Sequence, residues 1–183
     1  MQEEVKIKIK KTHPDTIIPE YAHDGDSGMD VYSVEELIIP SGERRLVGSG
    51  LSFEIPEGYE IQIRPKSGLA TNYGITNLNA PGTIDSNYRG EIKGILFNSG
   101  KEAYPVKKHS KIFQIVLQKI PKMIIEEAKE LNDTSRGNKG FGSTGLNKNW
   151  NFRRNLYKLC NLFLKSWNGI LHQGWNIENL LKR

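Results

Sequence analysis

The chain has 183 residues, 37% of them hydrophobic, which suits one domain plus an appendage. Its net charge of +5 is uneven: residues 146–183 hold seven of the 26 Lys/Arg and one of the 21 acids, which leaves 19 bases and 20 acids on the first 145 residues. A basic surface for nucleic acid is therefore excluded for the body of the chain and applies to the tail alone. The single Cys160 excludes an intramolecular disulfide framework and points to a reducing compartment. No run reaches the roughly 18 apolar residues of a membrane span. Met1 to Lys11 lack the apolar stretch of a signal peptide, so a cytoplasmic location is expected.

Val5 to Lys10 alternates strictly between apolar residues and lysines, the period-2 mark of a strand with one wet face. Leu37-Ile-Ile ends a second strand in Pro40-Ser-Gly. Leu51 to Ile55 alternates again, and Pro56-Glu-Gly-Tyr turns it into Glu60 to Arg64, a hairpin pattern. Ile75–Leu78, Ile92–Phe97, Ile112–Leu117 and Met123–Ala128 supply further strands. Short strands separated by turn clusters predict an all-β sandwich or barrel. From Leu131 the chain turns polar and Gly-rich, and this stretch is expected to be mobile until something binds it. Beyond it, Leu156, Leu159, Cys160, Phe163, Leu164, Trp167, Ile170 and Leu171 fall near i, i+3, i+4 spacing and predict an amphipathic helix. The domains are accordingly 1–130, a β body; 131–145, a flexible arm; and 146–183, a basic extension that bears Trp residues.

Asn79 to Phe97 organises the rest. Pro81-Gly82 is a turn pair, Ile92–Phe97 an apolar run, and between them stand a carboxylate, Asp85, a phenol, Tyr88, and a guanidinium, Arg89. Upstream, Asp24-Gly-Asp-Ser-Gly-Met-Asp contains Gly28 and Asp30. Asp24 and Asp26 lack the spacing of a calcium loop and read as a solvated acidic loop. Arg64-Pro-Lys-Ser-Gly-Leu-Ala offers a cation, a hydroxyl and unobstructed backbone N–H groups, a nest for phosphate oxygens. Lys107-Lys-His-Ser-Lys-Ile-Phe-Gln ends on Gln114; His109 has no Cys or His partner at zinc spacing. Ser135-Arg-Gly-Asn-Lys-Gly-Phe-Gly-Ser-Thr-Gly combines Gly, hydroxyls and cations but lacks the Gly-Lys-Ser/Thr ending of a P-loop.

These five segments, in this order over residues 5–145, resemble the five motifs of the deoxyuridine triphosphatase (dUTPase) family. The resemblance implies a jelly-roll-like β barrel of the β-clip type and hydrolysis of dUTP to dUMP and diphosphate. That reaction limits uracil in DNA and supplies dUMP for thymidylate synthesis. It implies Asp85 as general base for a water attacking in line at the α-phosphorus, with Gln114 on a phosphate oxygen or that water. Lys66, Ser67 and Gly68 would hold phosphate. Asn79, Gly82 and Ile84 would read the uracil edge, and Tyr88 would lie against the deoxyribose and leave no room for a 2′-hydroxyl. Arg136, Phe141, Gly142, Ser143 and Thr144 of the arm would close over the substrate. Asp30 would face Mg²⁺ through water. A homotrimer with sites at subunit interfaces is implied, with no membrane or nucleic-acid partner required for the core.

Two departures stand out. The family usually carries Arg where this chain has Lys66, which keeps the charge and loses the two-pronged fork; Arg64 either compensates or is a strand-end surface charge. In the fourth motif only Ile112 and Gln114 fit outright. Lys111 replaces Arg, while His109, Ser110 and Phe113 stand at the family's Gly, acid and Ala. The competing readings are a dCTP deaminase, for which Glu91 is the nearby candidate acid, and a dUTPase-like scaffold that binds a regulator through its basic tail.

Overall fold

A computed structural model describes residues 3–143. The chain divides into a unit that ends at Ile125 and a second that begins at Glu126. The first carries eleven strands, β1 (Lys8–Lys11), β2 (Met29–Tyr32), β3 (Leu37–Ile39), β4 (Arg44–Gly48), β5 (Leu51–Glu54), β6 (Tyr59–Arg64), β7 (Ile75–Asn77), β8 (Gly82–Ile84), β9 (Lys93–Asn98), β10 (Tyr104–Val106) and β11 (Lys111–Lys119), with one helix, α1 (Ser67–Tyr73), between β6 and β7. The fold is predominantly β, as the sequence predicts. Strand order is β2-β11-β6-β8 in the largest sheet and β4-β9-β7 in the next, with two-stranded pairs β1-β5 and β10-β3. Every pairing is antiparallel.

Alternation sets the faces. On β6, Ile61 and Ile63 are buried while Glu60, Gln62 and Arg64 take the opposite, half-buried face. Phe113, Leu51, Ile39, Leu96 and Val31 are fully enclosed in the core, and each such side chain contributes about 1.5–3 kcal/mol relative to exposure. Phe113, a departure from the family's small residue, is accommodated across the core by Gly94, where a Cβ would lie 2.7 Å from the ring. The large residue on one strand and the glycine on another are one packing solution.

Three features differ from the sequence-based expectation. Met123–Ala128 forms no strand: Pro121 offers no N–H, no strand pairs with the segment, and Met123, Ile124 and Ile125 are 80–90% exposed. Helix α1 is an addition, because the Ser67-Gly68 pair reads as loop; the helix ends at Gly74, whose φ of 71° suits a left-handed cap. Strands β2, β4, β8 and β10 are further additions. The predicted helix of 146–183 lies outside the described residues. Among those residues no helix is long and apolar enough to cross a membrane.

Candidate active site

The centre of the first half of the site is a row across the largest sheet. Asp30 of β2 pairs with Gln114 of β11, and Gln114 pairs with Arg64 of β6. The three residues, with Asp26, Gly28 and Lys66, line a cleft of about 290 Å³. Gly28 packs closely on this row: a Cβ there would lie 3.1 Å from Gln114 Oε1 and 3.2 Å from Val116, so a side chain would require these two to shift by a few tenths of an ångström.

Asp30 is 19% exposed and carries two ion pairs, Oδ1 with Lys66 Nζ and Oδ2 with Lys111 Nζ, the latter at 2.9 Å. Burial acts to raise its pKa, but the hydrogen bonds and charges of Lys66 and Lys111 outweigh burial and hold the carboxyl below its ordinary value. Asp30 in turn raises the pKa of Lys111. Lys111, named in the sequence only as a replacement for the family's arginine, is a neighbour of the site that sequence reasoning did not assign to it. The available signal was two lysines standing where the family has arginines, both of which converge on one carboxylate.

Lys66 is the N-cap of α1 in extended conformation; its donor-only ammonium cannot accept from the first-turn N–H groups and is paired with Asp30 instead. Ser67 and Gly68 form the exposed first turn, where backbone N–H groups have no intrahelical acceptor. In the fourth motif His109 takes the family's glycine position and adopts φ 62°, with its Nε2 3.1 Å from the Asp15 carbonyl. A glycine-type backbone is kept without the glycine.

The second half of the site is the β7–β8 connection and the turn after it; the connection is hairpin-like in sequence but joins two sheets, since β7 pairs with β9 and β8 with β6. Asn79 is exposed, and its amide nitrogen comes within 3.2 Å of where a Gly82 Cβ would stand. The Ala80–Pro81 peptide is cis. Ile84 ends β8, and Asp85 starts a turn closed by Tyr88 N–H donating to Asp85 O at 3.1 Å. The Asp85 carboxylate is exposed and makes no hydrogen bond or ion pair among the described residues. The Tyr88 hydroxyl donates to Glu91 O, and its ring, 44% exposed, lies over Gly90. Arg89 donates to Ser86 O and Tyr88 O at 2.7 and 2.9 Å, so it ties the turn together.

Along β6 the two halves of the site lie at different levels. Ile84 pairs with Ile61, which puts Asp85 beside Glu60, whereas the Asp30 row crosses β6 at Arg64. Four strand residues separate these levels, about 13 Å. In the second unit, Arg136 Nε donates to Lys139 O at 3.0 Å, and Phe141 is fully exposed at φ 47° beside Gly142 at φ 91°. Ser143 N–H donates to Gly140 O. Thr144 lies outside the described residues.

A family model, dUTPase, matches residues 15–145. The chain belongs to the dUTPase family. It is 53% identical over 140 residues to a deoxyuridine 5'-triphosphate nucleotidohydrolase of Clostridioides difficile, covering 76% of this chain and 98% of the relative. The same identity over 141 residues holds for the enzyme of that name from Nautilia profundicola, with 77% and 99% covered. The dUTPase of Staphylococcus bacteriophage 80alpha, solved with dUPNHPP, superposes with a TM-score of 0.71 at 23% identity and covers 77% of this chain and 99% of its own. A mutant dUTPase from phage phi11 of S. aureus, described for the coordination of a structural Mg(II) ion, gives 0.64 at 19%, over 70% of this chain and all of its own. The phage structures establish a shared fold. Residues 146–183 lie beyond the dUTPase match.

Proposed function

We propose that this dUTPase-family protein hydrolyses dUTP to dUMP and diphosphate, and so limits uracil in DNA and supplies dUMP for dTMP synthesis. The observation that carries the reading is the Asp30–Gln114–Arg64 row with Lys66 bound to Asp30. It concentrates cations, an amide and one carboxylate beside the free backbone of α1, as a triphosphate requires. Lys66, Ser67 and Gly68 hold phosphate oxygens, and Gln114 donates to one of them or to the attacking water. Asp85 orients that water and accepts its proton as it attacks the α-phosphorus. Its exposed carboxylate, without a partner among the described residues, is free for that role. Asn79 and the backbone from Gly82 to Ile84 read the uracil edge, and Tyr88 packs on the deoxyribose. Arg136, Phe141, Gly142, Ser143 and Thr144 close over the bound nucleotide and exclude bulk water.

Among the described residues no three His, Cys, Asp or Glu side chains cluster to hold a metal. The donor set does not fit an all-protein cage. It fits Mg²⁺ that keeps its waters and enters on the triphosphate, with Asp30 facing it through water. Held there, the ion would supply neutralisation of phosphate charge, while Lys66 and Lys111 stand beside Asp30 within reach of phosphate oxygens.

The gap of about 13 Å between Asp85 and the Asp30 row supports sites built across subunit interfaces of a homotrimer, with the hairpin of one subunit facing the row of its neighbour. The functional division is a body of 1–130, an arm of 131–145 and an extension of 146–183, in a cytoplasmic enzyme. Deamination of dCTP is disfavoured by Glu91. Its Oε1 accepts from Gly50 N–H at 2.8 Å and its Oε2 pairs with Lys93 at 3.2 Å, so the acid is spent on the framework. The test is diphosphate release from dUTP beside dTTP, dCTP and UTP, for wild type and Asp85→Asn. Release confined to dUTP and reduced about 10²–10⁴-fold by the substitution is expected. Release of uracil nucleotides from dCTP would overturn the reading.

A further inference from the structure

Arg64 has a setting that a surface charge would not need. It ends β6 on the row of Gln114 and Asp30 and lines the same cleft as Lys66. Its Nε and Nη2 both donate to Gln62 Oε1, at 3.2 and 2.8 Å, and Gln62 Nε2 donates to Glu60 Oε1 at 2.7 Å. Glu60, Gln62 and Arg64 stand two apart on one strand, so they share a face and form a chain of side chains that runs into the cleft. A carboxylate placed directly on Arg64 would orient the guanidinium and cancel its charge. Here a neutral amide stands between them, and no carboxylate among the described residues lies within ion-pair distance of Arg64. The guanidinium is oriented, and its two Nη1 hydrogens and second Nη2 hydrogen, which form the outer fork, have no partner among the described residues.

Lys66, by contrast, is a compact point charge already engaged by Asp30. We propose that Arg64 is a phosphate-contacting residue of this site, which supplies the two-pronged donor that Lys66 lacks, with Gln62 and Glu60 as its positioning residues. This rests on the dUTP reading above. The row gives the reason for the placement: the residue opposite Arg64 is Gln114, itself assigned to a phosphate oxygen or the water. An arginine one strand over can grip the same phosphate from the other side, with parallel N–H···O bonds.

The experiment is steady-state hydrolysis of dUTP by the full chain, with inhibition by inorganic diphosphate, for Arg64→Gln, Arg64→Lys, Gln62→Leu, Lys66→Arg and the double variant Lys66→Arg/Arg64→Gln. Arg64→Gln should lower kcat/KM about 10- to 100-fold, the loss of a charged hydrogen-bond pair, and weaken diphosphate inhibition by a similar factor. Arg64→Lys should recover part of this, and Gln62→Leu should raise KM more than it lowers kcat. In the Lys66→Arg background the Arg64→Gln loss should shrink to a few-fold, because two residues that share a task are not additive. Equal losses in both backgrounds, unchanged diphosphate inhibition, or a change in oligomeric state with Arg64→Gln would overturn the proposal. A wild type inactive on dUTP would overturn the function itself before any variant is compared.

Discussion

The two halves of the site are built on opposite principles. The Asp30 row is assembled within one protomer: three strands bring Asp30, Gln114 and Arg64 level, two ammonium groups fix the carboxylate, and a missing side chain at Gly28 lets Gln114 approach. The hairpin half is presented. Asn79, Asp85 and Tyr88 are exposed; the Asp85 carboxylate makes no bond among the described residues, and the Tyr88 hydroxyl is held only by the Glu91 carbonyl beside the turn. Asp30, Lys66 and Lys111 neutralise one another before substrate arrives, while Arg64 is held by a neutral amide. Groups that read a base, a sugar and a water need a free face, so a stiff turn holds them out.

The largest effect should come from separating the halves between chains. Asp85→Asn and Gln114→Ala should each lose activity, the former about 10²–10⁴-fold. If the hairpin of one subunit faces the row of another, unfolding and refolding the two inactive variants together should restore a substantial fraction of wild-type turnover, because some sites then receive both intact residues. A mixture as inactive as its parts would put both halves of each site on one chain and break the comparison at its base.

A smaller effect is expected for the sugar. Tyr88→Ala leaves the turn's backbone bonds in place and removes the ring. Hydrolysis of UTP relative to dUTP should rise by about 10- to 100-fold, the range over which a steric wall without paired polar groups discriminates. Circular dichroism should show no change. An unaltered UTP:dUTP ratio would mean that the 2′ position is read elsewhere.

Why one half was easier to read from sequence follows from the same contrast. Asp85 and Tyr88 lie three apart on one turn, so local spacing displays them. The row draws on Asp30, Arg64 and Gln114, far apart in the chain, and only the sheet order β2-β11-β6 makes them neighbours. Motif resemblance names Asp30 and Gln114 without revealing that Lys66 and Lys111 grip the same carboxylate. Helix α1 escapes because Ser-Gly signals a loop as well as a helix start. A Met123–Ala128 strand is expected from β-branched and apolar residues, but propensity does not supply a partner strand, and after Pro121 none is present among the described residues.

The paired half should also reveal itself in pH dependence. Asp30 has a depressed pKa in the folded chain, so its contribution to stability is complete above the ordinary value of 3.8 and is lost as pH falls through the lower folded value. Lys111 has a raised pKa, so its contribution is complete below 10.5 and is lost as pH rises through the folded value. Urea unfolding of wild type and Asp30→Asn should therefore show a deficit in the variant that is flat between these limits and narrows at both ends. A deficit independent of pH would mean that the ion pairs add nothing and that packing accounts for the loss.

The smallest effect tests the root of the hairpin half. Two buried asparagines lie within the paired strands β7 and β9, each opposite an apolar residue. Asn98 is fully enclosed and satisfied: its amide donates to Ile39 O at 2.9 Å and Glu102 O at 2.8 Å, and it accepts from Gly100 N–H at 2.8 Å. Asn77, 3% exposed and two residues before Asn79, has no partner for either amide atom among the described residues. Leucine shares the branched outline of asparagine, is the bulkier residue, and brings no polar atom. Asn77→Leu should stabilise the chain by about 1 kcal/mol, since an unsatisfied buried amide is removed without orphaning another group, and should raise Tm by roughly 2–4 °C. The same change at Asn98 should destabilise, because it strands two carbonyls and an N–H. If the hairpin functions as a rigid presenter, kcat for dUTP should not change with Asn77→Leu. A fall in kcat alongside the gain in Tm would instead mean that the loose amide at the root of the hairpin lets it adjust to the nucleotide.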